Sequence, residues 1–370
     1  MNKIYKGVGM MSGTSLDGLD IVYANFWQEN LRWKYQILET NFQEYPGELY
    51  DQLKHAKGLS SENLMLLDVI YGKWVGEKTH EFIINKKIKP DFIASHGYTV
   101  FHQPEHSMTL QIGSGNEIFA KCKIPVVYNF RQLDVALGGQ GAPLVPIGDR
   151  LLFGEYDYCL NLGGIANIST EYFAERIAFD IVPANMILNH ISQKLGEPFD
   201  RNGDFASQGT IISALLNRLE SLDFYKKNYP KSLGSEWVEK NVLSLEDLNS
   251  YNPLDILATL VDHIASRIAD DVSLLNREKK SINSKILITG GGAKNGYLIE
   301  RVKHKLGGSV ELIVPGDVLV DFKEALIFAF LGVLRLKNVP NCLSSVTGAS
   351  RDSTGGIVIS DQSVSYLNAD

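Results

Sequence analysis

Four short runs of β-branched and aromatic residues stop abruptly in glycine and polar side chains, and this pattern narrows the folds open to the chain. "DFIASHGYTVFH" runs from Phe92 into Ser95, His96 and Gly97, and "IPVVYNFRQLD" runs from Val126 into Asn129, Arg131 and Asp134. "YCLNLGGIANIS" breaks at Asn161, Gly163 and Gly164, and "KILITGGGAKNG" at Thr289, Gly290, Gly291 and Gly292. Strands of an α/β sheet end in this way, delivering polar side chains and bare backbone to a crevice at their carboxyl ends. Between the runs, apolar residues recur at three- and four-residue steps: Leu64, Leu67, Tyr71 and Trp74, then Ile256, Leu260, Ile264, Ile268 and Val272. Ser61 is placed to cap the first of these helices, and Asn252 before Pro253 to start the second. The fold class is therefore α/β.

The stretch "GVGMMSGTSLDGLDIVY", Gly7 to Tyr23, adds a turn with three hydroxyls, Ser12, Thr14 and Ser15, beside Gly13, Asp17 and Gly18. Such residues are ordinary in turns, but a two-residue hairpin does not need so many donors. An anion-binding turn and a plain turn both remain open at this point. A similar glycine-broken hairpin pattern at Tyr158 to Thr170 points to an arrangement in two related halves. At 370 residues the chain exceeds the usual size of one core, so two domains with a ligand cleft between them are expected. The polar, proline-interrupted stretch from Phe224 to Asn252 reads as an insertion or long ordered loop.

Charge and cysteine usage exclude several classes. A net charge of -7 argues against the broad basic surface that nucleic acid binding needs. Cys122, Cys159 and Cys342 are too few and too scattered for a disulfide framework or a zinc knuckle, which fits a reducing cytoplasm. The residues before Gly7 lack the apolar core of a signal peptide, and "EALIFAFLGVLRL" is shorter than a membrane span and reads as a buried core helix. A homodimer is left open.

Glycine turns let backbone N–H groups approach phosphate closely. No Walker A sequence occurs, and "GGGAKN" lacks the third glycine of the dinucleotide fingerprint. What remains is phosphate binding by two hairpin turns, with a third glycine turn beside the adenosine. The ordered segments "MSGTSLDGLD", "SHGYTVFH", "NFRQLDVALGGQGAPLVP", "LNLGGIANIS", "TGGGAKNGYL", "DFKEALIFAFL" and "SVTGAS" cover nearly the whole chain. In order, they resemble the motifs of the anhydro-N-acetylmuramic acid kinases, members of the actin, hexokinase and heat-shock ATPase superfamily.

The resemblance implies a two-domain actin-like and hexokinase-like ATPase fold with an interdomain active-site cleft, a first domain over 1–130 and a second over 131–370 whose C-terminal end packs back on the first. It implies ATP and Mg²⁺ as cofactors and an amino sugar as substrate. Water opens the 1,6-anhydro ring while the released O6 takes the γ-phosphoryl group, which needs a carboxylate for the water and donors for the phosphates. By resemblance, Asp180 in "IAFDIVPANMILN" is the base. Ser12, Gly13, Thr14, Ser15, Asp17 and Gly18 form the first phosphate turn, with Asp17 serving the magnesium-phosphate region through coordinated water. Gly163 and Gly164 form the second turn, Gly290, Gly291 and Gly292 border the adenosine with Asn295 beside them, and Glu324 falls on the nucleotide side. His96, Arg131 and Asp134 line the sugar side.

The residues alone leave other roles open. Asp180 precedes Pro183 and an apolar helical run, so it also reads as a helix cap. Arg131 also reads as an ion-pair partner of Asp134, and His96 as a positioned hydrogen-bonding residue. Family members read Asp-Thr-Gly-Pro-Gly-Asn where this chain has Asp180, Ile181, Val182, Pro183, Ala184 and Asn185, so one hydroxyl and two glycines are lost. A kinase for a different amino sugar and a nucleotide-gated binding protein without turnover are the competing functions.

Overall fold

The structure, a computed structural model, describes residues 3–13, 16–279 and 283–361. Thr14 and Ser15 of the first turn lie outside the described residues. The chain divides into two compact units, Met1–Leu152 with Phe322–Asp370, and Phe153–Asp321.

In the first unit the strands are β1 (Tyr5–Met11), β2 (Leu19–Glu29), β3 (Arg32–Gln43), β4 (Phe92–Ser95), β5 (Tyr98–Gln103), β6 (Met108–Ile112) and β7 (Val126–Tyr128). The second unit holds β8 (Tyr158–Leu162), β9 (Ile165–Tyr172), β10 (Glu175–Pro183), β11 (Ser284–Thr289) and β12 (Val310–Ile313), and β13 (Ile357–Ile359) returns to the first. The main sheet of the first unit runs β13-β7-β4-β1-β2-β3, while β5 and β6 form a separate hairpin. The sheet of the second runs β12-β11-β8-β9-β10.

The two sheets share one plan. β2 lies antiparallel between β1 and β3, and β4 then β7 add in parallel on the other side of β1. In the second unit β8, β9 and β10 are antiparallel, and β11 then β12 add in parallel to β8. This repeated order is the two-unit α/β architecture expected above, and it extends to whole sheets the halves suggested by the two hairpins.

Parallel neighbours put their carboxyl ends on one edge. In the first unit that edge receives described residues following β1, β4 and β7, among them Ser12, Gly13, Asp17 and Gly18, then His96 and Arg131. In the second it receives Gly163 and Gly164 after β8 and Gly290 to Gly292 after β11. Pro183, at the end of antiparallel β10, pairs with Ile165 at the start of β9, so Asp180 lies three residues from the same edge.

The boundary between units differs from the one expected after residue 130. Residues 131–152 stay with the first unit because Asp134 is held there: its carboxylate accepts from Gly141 N, Cys342 Sγ and Thr347 Oγ1. The C-terminal strand β13 pairs with β7, which also places it in that unit.

The helix Asp317–Leu336 is almost entirely apolar from Ala325 to Leu336, and Ala325, Leu326, Ile327, Ala329, Phe330 and Leu331 are fully buried. Gly9 of β1 lies against it so closely that an added Cβ would sit 2.0 Å from the Ala325 carbonyl oxygen and 2.7 Å from Ala329 Cβ. Backbone cannot retreat as a side chain can, so Gly9→Ala is expected to cost about 1–3 kcal/mol. Thermal unfolding checks this, with a drop of several degrees expected.

Two details of the sequence reading change. Ser60, not Ser61, caps the helix Ser61–Lys86, its hydroxyl accepting from Asn63 N at 3.3 Å. The segment 224–252, read as an insertion or long ordered loop, is more regular than a loop: it folds into short helical turns whose Val238, Val242 and Leu248 enter the core of the second unit. Asn252 does start the helix Pro253–Lys279, accepting from Leu254 N at 3.0 Å.

Candidate active site

In the first unit, Ser12 is 2% exposed and shares a hydrogen bond with Tyr71 Oη, which is 3.4 Å from Tyr45 Oη. Buried hydroxyls need partners, and this chain of three fixes the end of β1 to the helix Ser61–Lys86. Asp17 is exposed on the turn beyond. Gly18 has a packing reason for being glycine, since a Cβ there would lie 2.4 Å from the Gln43 carbonyl oxygen and 2.7 Å from the Phe42 ring.

His96, Arg131 and Glu324 form one electrostatic group. His96 Nδ1 lies 2.8 Å from the Gly97 carbonyl, which can only accept, so Nδ1 carries the proton. Nε2 is then the bare nitrogen, and it accepts from Arg131 Nε at 2.9 Å. Burial, helped by the Arg131 charge, holds His96 well below the usual histidine range, which keeps the ring neutral. Arg131 also donates an Nη–H to the Gly141 carbonyl at 2.8 Å. Burial raises the Glu324 carboxyl above its usual range; Arg131 and Lys323 draw it back, while Asp149 and Asp17 push it further up. Buried Lys323 is itself paired with buried Asp149 at 2.7 Å.

Arg131 and Asp134 are not ion-paired among the described residues. Asp134, 1% exposed, gives Oδ2 to Gly141 N at 2.7 Å and Oδ1 to Thr347 Oγ1 at 2.8 Å and Cys342 Sγ at 3.1 Å. Arg131 and Asp134 thus both hold Gly141, one at its carbonyl and one at its amide.

A buried histidine that must stay neutral links stability to pH. The unfolded histidine binds its proton near pH 6.5 and the folded one only at lower pH, so the contribution is complete above about 6.5 and is lost as pH falls toward the folded value. His102 and His263 are shifted the same way, by burial first. We therefore expect stability to fall on acidification from about pH 6.5, and His96→Gln to flatten that slope in denaturant titrations over the same range.

In the second unit the two glycine turns meet. Gly163 O accepts from Asn185 N at 3.1 Å, and Gly164 O accepts from Ala184 N at 2.8 Å and Met186 N at 3.1 Å, tying the β8–β9 turn to the start of helix Asn185–Gln193. Asn185 Nδ2 donates to Leu162 O at 2.9 Å. Gly290 takes φ +83°, and a Cβ there would lie 2.4 Å from Asn161 Oδ1. A Cβ on Gly292 would lie 2.8 Å from Leu162 Cβ and 3.1 Å from Asn185 Oδ1. Asn161 and Asn185 therefore join the two turns; Asn161 stands inside a quoted glycine run, but its side-chain role carries no signal in the sequence.

Gly291 differs from its neighbours. A Cβ on it would meet only Asn185 Nδ2, at an ordinary 3.7 Å, and one on Gly164 only Met186, at 3.8 Å. Packing does not require glycine at these two positions, and bare backbone there leaves a cradle that a side chain would fill. Asn295 caps helix Gly296–Leu306, its Oδ1 accepting from Leu298 N at 3.0 Å, and it is 7% exposed.

Asp180 is a strand residue, five positions before the start of helix Asn185–Gln193, whose first turn has no side-chain cap. The cap reading therefore fails. A bulge against β9 follows directly, between Asp180 and Val182. Burial pushes its carboxyl above the usual range, and donors from Leu233 N at 2.8 Å and Ser232 Oγ at 3.1 Å draw it part of the way back. The residues that replace the Thr and Gly positions, Ile181, Val182 and Ala184, are fully buried in the core of the second unit. That departure is taken up by apolar packing.

The family model for anhydro-N-acetylmuramic acid kinase matches residues 5–361. An anhydro-N-acetylmuramic acid kinase of Aliivibrio fischeri is 36% identical over 370 residues, covering 95% of this chain and 98% of that protein. One from Haemophilus influenzae is 34% identical, with 96% and 98% covered. Among solved structures, the activator of the 2-hydroxyisocaproyl-CoA dehydratase from Clostridium difficile with bound ADPNP is 12% identical at a TM-score of 0.38, covering 89% of this chain and 94% of its own. The ethanolamine utilization protein EutJ of Carboxydothermus hydrogenoformans is 11% identical at a TM-score of 0.41, with 88% and 89% covered.

Proposed function

The chain belongs to the anhydro-N-acetylmuramic acid kinase family, and from that premise we propose that Asp180 is the general base of an ATP-dependent kinase acting on 1,6-anhydro-N-acetylmuramic acid in cell-wall recycling. The match over residues 5–361 carries the activity; the position and hydrogen bonds of Asp180 support its role. Asp180 takes a proton from water as the oxygen attacks the anomeric carbon, and the bond from that carbon to O6 breaks. O6 then forms its new bond to the γ-phosphorus, and ADP leaves. The base need not be strong, and a carboxyl raised by burial is suited to receiving the proton.

The phosphates fall to the backbone of Ser12, Gly13 and Gly18 in the first unit and of Gly163 and Gly164 in the second. Gly290, Gly291 and Gly292 border the adenosine, and Asn295 holds the helix behind them. The open backbone at Gly164 and Gly291 fits such a ligand, as does the exposed carboxylate of Asp17 at the end of a turn. Magnesium, when bound, would neutralise charge on the phosphates; Asp17 would hold it through coordinated water, and Glu324 would serve the same nucleotide side. His96 presents Arg131 in a fixed orientation toward the sugar, and Asp134 holds the Gly141 backbone behind it. Buried Cys122, Cys159 and Cys342, none of them in a disulfide, and a need for ATP fit a cytoplasmic enzyme. No helix among the described residues is long and apolar enough to cross a membrane.

Incubation with ATP and a panel of anhydro and ordinary amino sugars tests this reading. ADP release should accompany a sugar product heavier by one phosphoryl group and one water only with the 1,6-anhydro sugar. Turnover of an ordinary amino sugar in its place, or ligand binding without ADP release, overturns it.

A further inference from the structure

The segment Lys231–Leu233 wraps Asp180 from outside its own sheet. Asp180 N donates to the Lys231 carbonyl at 2.9 Å, while Leu233 N and Ser232 Oγ both donate to Asp180 Oδ2. Three consecutive residues therefore contact one aspartate through main chain and side chain. The strap is itself pinned at both sides. Leu233 is buried, and Lys231 Nζ pairs with Asp271 of helix Pro253–Lys279 at 3.0 Å while lying over the rings of Phe179 and Phe224, 5.6 Å and 5.4 Å from their centroids. Lys231 and Asp271 are 4% and 17% exposed, a setting in which an ion pair is screened little by salt.

We propose that Lys231, Ser232 and Leu233 are positioning residues for the base: they anchor Asp180 through Oδ2 and so select Oδ1 as the oxygen that takes the proton from water. This rests on the reading of Asp180 as base. Two donors on one oxygen fix the carboxylate plane and concentrate negative charge where the bonds lie, leaving the other oxygen as the free acceptor. The strap also sets how readily the base ionises, because each donor favours the charged form against the burial that disfavours it. The groups facing Asp180 are Ser232 and Leu233 from the strap and Asn167 across β9; Lys231 turns its charge to Asp271 on the helix.

The test is Ser232→Ala, compared with Ser232→Thr and Asp180→Asn in the full chain, with kcat and KM followed from about pH 5 to 8. Losing the hydroxyl donor should move the acid limb of kcat upward by roughly half to one pH unit and reduce turnover several-fold at low pH, with recovery toward the plateau at higher pH. KM for both substrates should hold, and Ser232→Thr, which keeps the hydroxyl, should restore the parent profile. Lys231→Met, which frees the strap from Asp271, should shift the limb in the same direction. If Asp180→Asn is inactive but Ser232→Ala and Lys231→Met keep the parent acid limb, the strap proposal is wrong and the base assignment stands. If Asp180→Asn turns over at the parent rate, the base assignment itself is wrong.

Discussion

Asp180→Asn should bind ATP and the anhydro sugar as the parent does and yet turn over about a hundredfold more slowly or worse, the usual loss when a general base is removed. Asparagine keeps the size of the side chain, and its carbonyl oxygen can still accept from Leu233 N and Ser232 Oγ, so β10 and the segment beside it should keep their places. What is lost is the capacity to receive a proton. Isothermal titration with each ligand and steady-state turnover separate the two effects. Labelled water supplies a second reading of the same chemistry: the product should carry solvent oxygen at the anomeric carbon and keep its original O6 in the phosphate ester. Label in the ester bridge would show that the ring opens in some other way. The acid limb of kcat in the parent should lie above that of an ordinary aspartate, because burial raises Asp180 more than its two donors lower it.

The second large effect distinguishes two kinds of glycine within three consecutive residues. Gly291→Val should leave the melting temperature close to the parent value while weakening ATP binding at least tenfold, since an added Cβ meets only Asn185 Nδ2 at 3.7 Å yet projects a side chain into space the nucleotide needs. Gly290→Val should instead lower stability itself. Its φ of +83° is unfavourable for a β-branched residue, and its Cβ would lie 2.4 Å from Asn161 Oδ1 and 2.9 Å from the Leu162 backbone. A cost of about 2–4 kcal/mol combines that strain with overpacking. Nucleotide titration and thermal melting of the pair form a crossed test. If Gly291→Val binds ATP unchanged, this turn does not border the nucleotide.

Strand ends were legible because glycine and polar residues interrupt apolar runs sharply, and each of the four runs quoted above does end a strand at or near the break. The turns themselves were legible as backbone, but the side chains that lock them were not. Asn161 and Asn185 lie 24 positions apart and act together only once β8 and the helix Asn185–Gln193 are folded, so no local spacing announces them. Asp180 could be read as a cap because Pro183 and an apolar run follow it; the strand continues to Pro183 because Ile181 and Val182 are wanted in the core. The strap at Lys231–Leu233 was hidden for a similar reason. Its two decisive groups include a backbone N–H, which every residue other than proline carries and which no sequence pattern marks.

The stitching around Asp134 has a consequence for how the protein is made. Its carboxylate joins Cys342 and Thr347, 208 and 213 positions downstream, and Gly9 must receive a helix whose contacting residues are Ala325 and Ala329. The second unit, by contrast, is one uninterrupted stretch of chain. On a ribosome, which releases its product from the amino end at about 5–20 residues per second, the later-made unit is the first to be complete. The earlier-made β1, β4 and β7 must wait many seconds for the helix that covers Gly9 and for the strand that pairs with β7. During translation, the nascent chain therefore carries an unfinished sheet ahead of a finished one.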